Sequence, residues 1–180
     1  ARYFYVPNAT EHNELPTDEA IHAIRVLRLK IGDDIFLIDG KGTFYEAVVT
    51  LANSKHCLYK ITQTLVQNKT WKGHIHLAIA PTKDISRIEW LVEKATEIGF
   101  DEISFLNCQF SERKNLRIDR IERIVISAMK QSRKAWKPIV NNMLSFEDFM
   151  QKEVTGQKFI CHCYNEIEKI DFFSNINNSG

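Results

Sequence analysis

The chain changes its periodicity once, near His74, and that change restricts the folds open to it more than any other feature. Before it, the segments DIFLIDG, TFYEAVVTL and KHCLYKITQTLV are rich in β-branched and aromatic residues and are separated by Gly- and Asn-containing turns. That is the pattern of consecutive strands joined by hairpins. RYFYV at residues 2–6, ended by Pro7, reads as a further strand. Thr17 is placed to cap a helix reaching about Leu29, with Asp18 and Glu19 in its first turn and Ala20, Ile24 and Leu27 along one side. Four strands and one helix imply a small, mostly antiparallel barrel, followed by the hydrophilic linker QNKTWKG.

After His74 strands and helices alternate. HIHLAIA is a compact strand bounded by Pro81; Ile85, Ile88, Leu91, Val92, Ala95 and Ile98 then line a helix that Gly99 terminates. DEISFL follows as a strand, then a long basic helix, then a short helix opened by Ser145 with Asp148 three residues on, and then QKFICHCY as a last, core strand. Such alternation predicts crossover helices covering a largely parallel sheet. The expected division is a barrel domain over residues 1–70 and an α/β domain over residues 73–180. The polar tail SNINNSG is expected to be disordered.

Charge is concentrated in one place. Ile118, Ile121, Val125, Ala128 and Met129 form the buried stripe of a helix that must stop before Pro138. Around that stripe, Ser111–Lys137 holds nine basic residues against Glu112, Asp119 and Glu122, whereas the whole chain has a net charge of only +1. A solvated helix face is the ordinary explanation of such charge. A single positive field in an otherwise neutral to acidic protein favours a polyanionic ligand, because each phosphate contact releases condensed counterions.

Other classes are disfavoured. No run approaches the ~18 apolar residues of a membrane span, and ARYFYVPNAT lacks the pattern of a signal peptide. Cys57, Cys108, Cys161 and Cys163 fit no disulfide framework, so reduced thiols and a cytoplasmic location are expected. Cys161-His162-Cys163 has the residue types of a zinc site. In an alternating strand its members would point to opposite faces, and no second ligand pair follows, so no metal is expected. Only seven glycines are present, and none forms a G-x-G-x-x-G or phosphate loop.

Lys83, Arg87 and Lys94 lie at the start and along one side of the first α/β helix, beside Glu89, Glu93 and Glu97. Surface ion pairing accounts for them as readily as function does. The functional reading places Lys83 and Arg87 at a strand's C-terminal end, where open α/β sheets bind ligands. Arg25, Arg28 and Lys30 are equally divided between surface and binding. His22, His74, His76 and His162 have no nucleophile or carboxylate at a recognisable spacing, so no hydrolytic triad can be argued.

Six motifs then occur in a fixed order: H-x-x-R-V-L-R at His22–Arg28, Asp39-Gly40, A-P-T-K at Ala80–Lys83, R-I-E-W-L-V-E-K-A-T-E-I-G at Arg87–Gly99, S-E-R-K at Ser111–Lys114 and A-M-K-Q-S at Ala128–Ser132. Together, over nearly the whole chain, they resemble the RsmE family of ribosomal RNA uridine-N3 methyltransferases, of the SPOUT superfamily. The resemblance implies a PUA-like RNA-binding β-barrel followed by a trefoil-knotted, Rossmann-like α/β domain. It further implies a homodimer that transfers a methyl group from S-adenosylmethionine to N3 of a uridine in the 16S rRNA of the small ribosomal subunit.

Residue by residue, the resemblance matches Arg2, Arg25 and Arg28 to positions in the family's RNA-binding barrel, and Lys83, Arg87, Arg113 and Gln131 to motifs of its catalytic half. Lys83, Arg87 and Arg113 are the cations expected to serve the reaction by favouring the uridinate, and RNA binding is expected of Arg2, Arg25, Arg28, Lys30, Arg113, Lys114, Arg117, Gln131 and Lys134. Only His162, Cys163 and Tyr164 correspond to positions near the cofactor. Family members continue into a G-P-E-G-G loop and an L-G-x-x-x-L-R-x-E-T-A segment that tie the knot; neither occurs in this sequence, so the knotted domain is expected to be incomplete here, with most of the cofactor pocket outside it. Two further departures are Lys130, where the family commonly has an acidic residue, and Arg133-Lys134, where it has Gly before a basic residue. The alternatives are a non-catalytic RNA-binding protein that uses the barrel and basic helix, and a related knotted RNA methyltransferase with another target.

Overall fold

The computed structural model describes residues 2–177. The first half is a four-stranded sheet in the order β1-β2-β3-β4, from β1 (Tyr3–Tyr5), β2 (Asp34–Ile38), β3 (Thr43–Ala52) and β4 (Cys57–Val66). β1 runs parallel to β2, and the other two pairings are antiparallel. Among the described residues no ladder joins β4 back to β1. Turn chemistry sets the hairpins. The Asp39 carboxylate accepts from the amides of Lys41 (2.7 Å) and Thr43 (3.0 Å), and Asn53 does the same for Lys55 (3.0 Å) and His56 (2.8 Å). Phe4, Val6, Ile35, Leu37, Val49 and Tyr59 lie in this half's core. Tyr59 donates to the Ala9 carbonyl at 2.8 Å, and burial pushes its pKa up to about 12.

The helix of this half is shorter than expected. α1 spans Thr17–Ile21 and continues as a π-helical turn over His22–Val26, stopping short of Leu29. Pro16 occupies the N-cap and Thr17 is the first helical residue, with no side-chain cap; the missing Pro16 N–H falls where a helix start loses nothing by it.

The second half is parallel throughout. β5 (His76–Ile79), β6 (Glu102–Asn107) and β7 (Ile139–Val140) lie in the order β5-β6-β7, and β8 (Leu144–Ser145) also pairs with β6. α2 (Ile85–Ile98) and α3 (Ile118–Ser132) bury Ile88, Val92, Ile121 and Val125 against Ile103 and Phe105. Asp84 caps α2 by accepting from the Ser86 amide at 3.0 Å, and Gly99 closes it at φ +109°. α3 has the expected apolar stripe but occupies only the middle of the basic stretch. It ends on Arg133 in the left-handed conformation, five residues before Pro138, because that cap turns the chain back toward the first sheet. Ser145 caps α4 (Phe146–Gln151) as expected, accepting from the Asp148 amide at 3.0 Å.

Residues 157–164, QKFICHCY, do not form the expected strand: they pair with no neighbour, and all but His162 are exposed. Alternation makes a strand only where a neighbouring backbone accepts its hydrogen bonds, and among the described residues no ladder includes this segment. The tail also differs from expectation. Phe172–Asn175 forms a helical turn (α5), with Asp171 accepting from the Ser174 amide at 2.8 Å, while residues 178–180 lie outside the described ones.

The two halves meet in a seam. Ile38 and Phe44 of the first sheet pack with Met129 of α3 and Ala135 just after it, flanked by Tyr3, Tyr5 and Leu65. The β2–β3 turn hydrogen-bonds to the segment after α3: Gly42 N donates to Ala135 O (3.0 Å) and Lys137 N to Gly40 O (2.9 Å). Trp136 lies over Gly42 and donates to the Gln67 carbonyl at 3.1 Å. The expected linker is anchored too. The Asp101 carboxylate accepts from Ile75 N (2.7 Å), Trp71 Nε1 (3.2 Å) and Lys69 Nζ (3.3 Å). Burial raises its pKa, and these donors outweigh that and leave it below the ordinary carboxylate value.

Candidate functional site

Two hollows lie near the candidate residues, of which Lys83 lines the first and Gln131 the second. The first, about 370 Å³, opens at the C-terminal ends of β5 and β6 and is lined by Ala80–Lys83, Cys108 and Phe110–Glu112. Parallel strands deliver two loops there, the position at which open α/β sheets bind ligands. A tight turn shapes the second loop, with Ser111 N donating to Cys108 O (3.0 Å) and Cys108 N to Ser111 Oγ (2.9 Å). Arg113 joins the loops: its guanidinium donates to Lys83 O at 2.8 Å and to Thr82 O at 3.4 Å. Lys83 and Arg87 are exposed at the start of α2, and Lys114 is exposed beside Arg113. Asp84, the α2 cap, is held below the usual carboxylate range by hydrogen bonds from the Ser86 side chain and amide.

The second hollow, about 340 Å³, lies between the first sheet and the end of α3, lined by Tyr3, His22, Ser127, Lys130, Gln131 and Arg133. Lys130 Nζ bonds Glu19 Oε1 at 2.7 Å across the seam, and the Arg133 guanidinium lies 5.5 Å from the centre of the Tyr3 ring. Tyr3 is itself stacked on Phe36, with centroids 4.9 Å apart. Sequence reasoning singled out Gln131 in this hollow, named Lys130 and Arg133 only as basic residues that depart from the family pattern, and passed over Tyr3. A left-handed cap occupied by arginine is a signal visible only in the backbone.

The remaining expected residues are scattered. Arg2 pairs with Asp33 at 3.4 Å, and Arg25, Arg28 and Lys30 are exposed around the π-helical turn and the loop after it, Arg28 at φ +54°. Arg117 pairs with Asp119 (2.9 Å), Arg120 with Glu89 (3.0 Å) and Lys137 with Glu122 (2.6 Å). Lys134 is half-buried behind α3. Lys94 is bound by Glu93 and Glu97, as ordinary surface pairing predicts. Thus much of the basic stretch is already neutralised by carboxylates within the fold.

His162 is half-buried and stacked on Tyr164, its Nδ1 is buried without a partner, and Cys163 and Tyr164 are exposed. None of the three lines the first hollow. That hollow offers apolar walls (Pro81, Phe110) and one carboxylate, Glu112, and is open to solvent on one side. The residues present do not by themselves enclose a cofactor of nucleoside size. Among the described residues no group of three or more His, Cys, Asp or Glu side chains could hold a metal, and no helix is long and apolar enough to cross a membrane.

A cation-rimmed crevice at the ends of a parallel sheet, joined through a packed seam to a second, β-rich module, defines a two-module α/β protein suited to anionic ligands. The family models agree: an RNA methyltransferase domain matches residues 69–180, and an RNA methyltransferase PUA domain matches residues 15–62. The chain belongs to the RNA methyltransferase family. It is 31% identical over 158 residues to the ribosomal RNA small subunit methyltransferase E of Synechocystis sp., an alignment covering 85% of this chain and 50% of that protein. A solved probable rRNA-methyltransferase from Porphyromonas gingivalis is 40% identical, with a TM-score of 0.78, covering 86% of this chain and 65% of that one. The Neisseria gonorrhoeae ribosomal RNA small subunit methyltransferase E, solved bound to S-adenosyl methionine, shares the fold at 24% identity and a TM-score of 0.73, covering 86% and 66%. The chain spans about half the length of the curated relative and about two thirds of each solved one.

Proposed function

We propose that this protein methylates N3 of a uridine in 16S rRNA of the small ribosomal subunit, taking the methyl group from S-adenosylmethionine. Supporting this are the family membership, the small-subunit rRNA relatives and, above all, the crevice at the ends of β5 and β6, lined by Lys83, with Arg113 hydrogen-bonded to the Thr82 and Lys83 carbonyls and Arg87 in the first turn of α2. In this reading residues 1–70 are a PUA-like RNA-binding barrel and residues 73–180 belong to a SPOUT-type knotted domain. The protein acts as a cytoplasmic homodimer without a metal.

When bound, S-adenosylmethionine supplies an electrophilic methyl group; the residues of this chain handle the RNA. N3 lies on the pairing edge, so the uridine must be unpaired or flipped out. It also carries a proton, and cationic groups nearby favour the uridinate that remains when it leaves. Lys83 and Arg87 are the exposed cations placed for this. Arg113, bound to the carbonyls of Thr82 and Lys83, fixes the loop that carries Lys83.

Incubating the full-length protein with methyl-labelled S-adenosylmethionine and small-subunit rRNA, then digesting the RNA to nucleosides, should give labelled 3-methyluridine. Label on a ribose 2′-oxygen would assign a different reaction. Tight RNA binding with no transfer and no calorimetric signal for S-adenosylmethionine would make the protein a non-catalytic RNA binder.

A further inference from the structure

Two irregular pieces of backbone converge on the second hollow. From one side comes the π-helical turn that begins at His22, and π-turns inside helices are concentrated at functional positions. From the other comes Arg133, which ends α3 at φ +54°, ψ +50°. Glycine holds that conformation at least cost, and an L-residue there carries strain of about a unit of thermal energy or more. The left-handed residue closes α3, with Arg133 N donating to Lys130 O (3.3 Å) and Lys134 N to Met129 O (3.0 Å), and the side chain carried there is exposed, its guanidinium over the Tyr3 ring rather than on a carboxylate.

The charge inside the hollow is set by its neighbours. Lys130 is bound to Glu19, a nearly buried carboxylate whose other oxygen has no partner, so the lysine contributes little net charge. Arg133 remains as the cation, with the Ser127 hydroxyl and Gln131 amide beside it. One uncompensated positive charge and two neutral hydrogen-bonding groups match a single phosphodiester and the edge of its base, not a polyphosphate.

We propose that this cleft between the β-module and α3 holds one nucleotide of single-stranded RNA, its phosphate on the Arg133 guanidinium and its base read by Gln131 beside Tyr3. The proposal rests on the RNA-methyltransferase reading and adds an RNA subsite on the seam, away from the crevice at the strand ends.

The test is Arg133→Gly in the full-length protein, which removes the cation and relieves the backbone, so folding should be unaffected or improved. Binding of a fluorescent single-stranded RNA containing the target uridine is measured by anisotropy across a salt series. The variant should bind about tenfold more weakly at 0.1 M salt, as for loss of one charged hydrogen-bonded contact. Its log K against log salt slope should be shallower by about 0.7, one phosphate's share for a single strand. Arg133→Lys should recover the slope. An unchanged slope in Arg133→Gly, with wild-type binding intact, overturns the cleft and leaves the functional reading standing. No RNA binding by either protein overturns both. Uridine monophosphate competing as strongly as the RNA would make the hollow a free-nucleotide site and also overturn the proposal.

Discussion

The seam can be tested through Gly42. A Cβ added there would fall 2.4 Å from Trp136 Cζ2, 2.6 Å from Cε2 and 2.9 Å from Cη2, in a residue held at φ +103°. The indole cannot simply swing aside, because its Nε1 donates to Gln67 O at 3.1 Å and Lys69 Nζ lies 5.0 Å from its ring centre. Gly42→Ala should therefore cost about 1–2 kcal/mol for the positive φ and a further ~1–3 kcal/mol for displacing a packed ring. The total, roughly 2–5 kcal/mol, is a large share of a typical domain's stability. In a Trp136→Ala background the ring is gone and only the backbone strain remains, so the two changes should couple by about 1–3 kcal/mol. Urea unfolding of the four proteins, followed by far-ultraviolet circular dichroism, measures the cycle. Additive costs, or a Gly42→Ala cost below about 0.5 kcal/mol, would mean that the two modules are not held together at this turn.

RNA binding should weaken with salt, and the slope should depend on which cations are already engaged. Replacing Lys114, Arg123 and Lys134 by Ala should flatten it by up to about 2, more than the pair Arg117 and Arg120, whose charges are taken by Asp119 and Glu89. Stability should fall as pH drops below about 6.5. Burial holds the His76 pKa below its ordinary value, so the unfolded chain takes up that proton first and this stabilisation is present only above the unfolded pKa. A second loss follows at lower pH. Burial raises the Glu102 pKa, but hydrogen bonds from Asn141 (2.7 Å) and His74 (3.0 Å) outweigh it and hold the carboxylate below its usual value. His76→Gln should remove the upper step in urea melts taken from pH 5 to 8, and an unchanged step would place the proton elsewhere. Ser145→Ala should cost about 1 kcal/mol in the same melts by uncapping α4.

The elements readable from the sequence were those whose signal is local. The Gly99 stop of α2, the Ser145 cap, the Asp39 turn and the stripe Ile121–Val125–Ala128 each express a short-range preference, and each is where spacing put it. QKFICHCY shows the limit of that logic: its alternation describes what a strand would bury, but a strand forms only by pairing with another, and this segment pairs with none of the described strands. The candidate site divides in the same way. A-P-T-K and S-E-R-K carry the resemblance, and their loops do meet, because parallel β5 and β6 end side by side and Arg113 hydrogen-bonds one loop to the other. By contrast, a count of basic residues over Ser111–Lys137 could not show which charges would be spent inside the fold. Lys130 illustrates why: its partner Glu19 lies 111 residues away, on the other module, and the two meet only because Met129 and Ala135 pack against Ile38 and Phe44. That same long-range contact removes one cation from the seam hollow and leaves Arg133 to set its charge. The positive charge of the seam hollow is therefore decided by the packing between modules, and perturbing the seam at Gly42, which would shift its two walls relative to each other, should weaken RNA binding as well as stability.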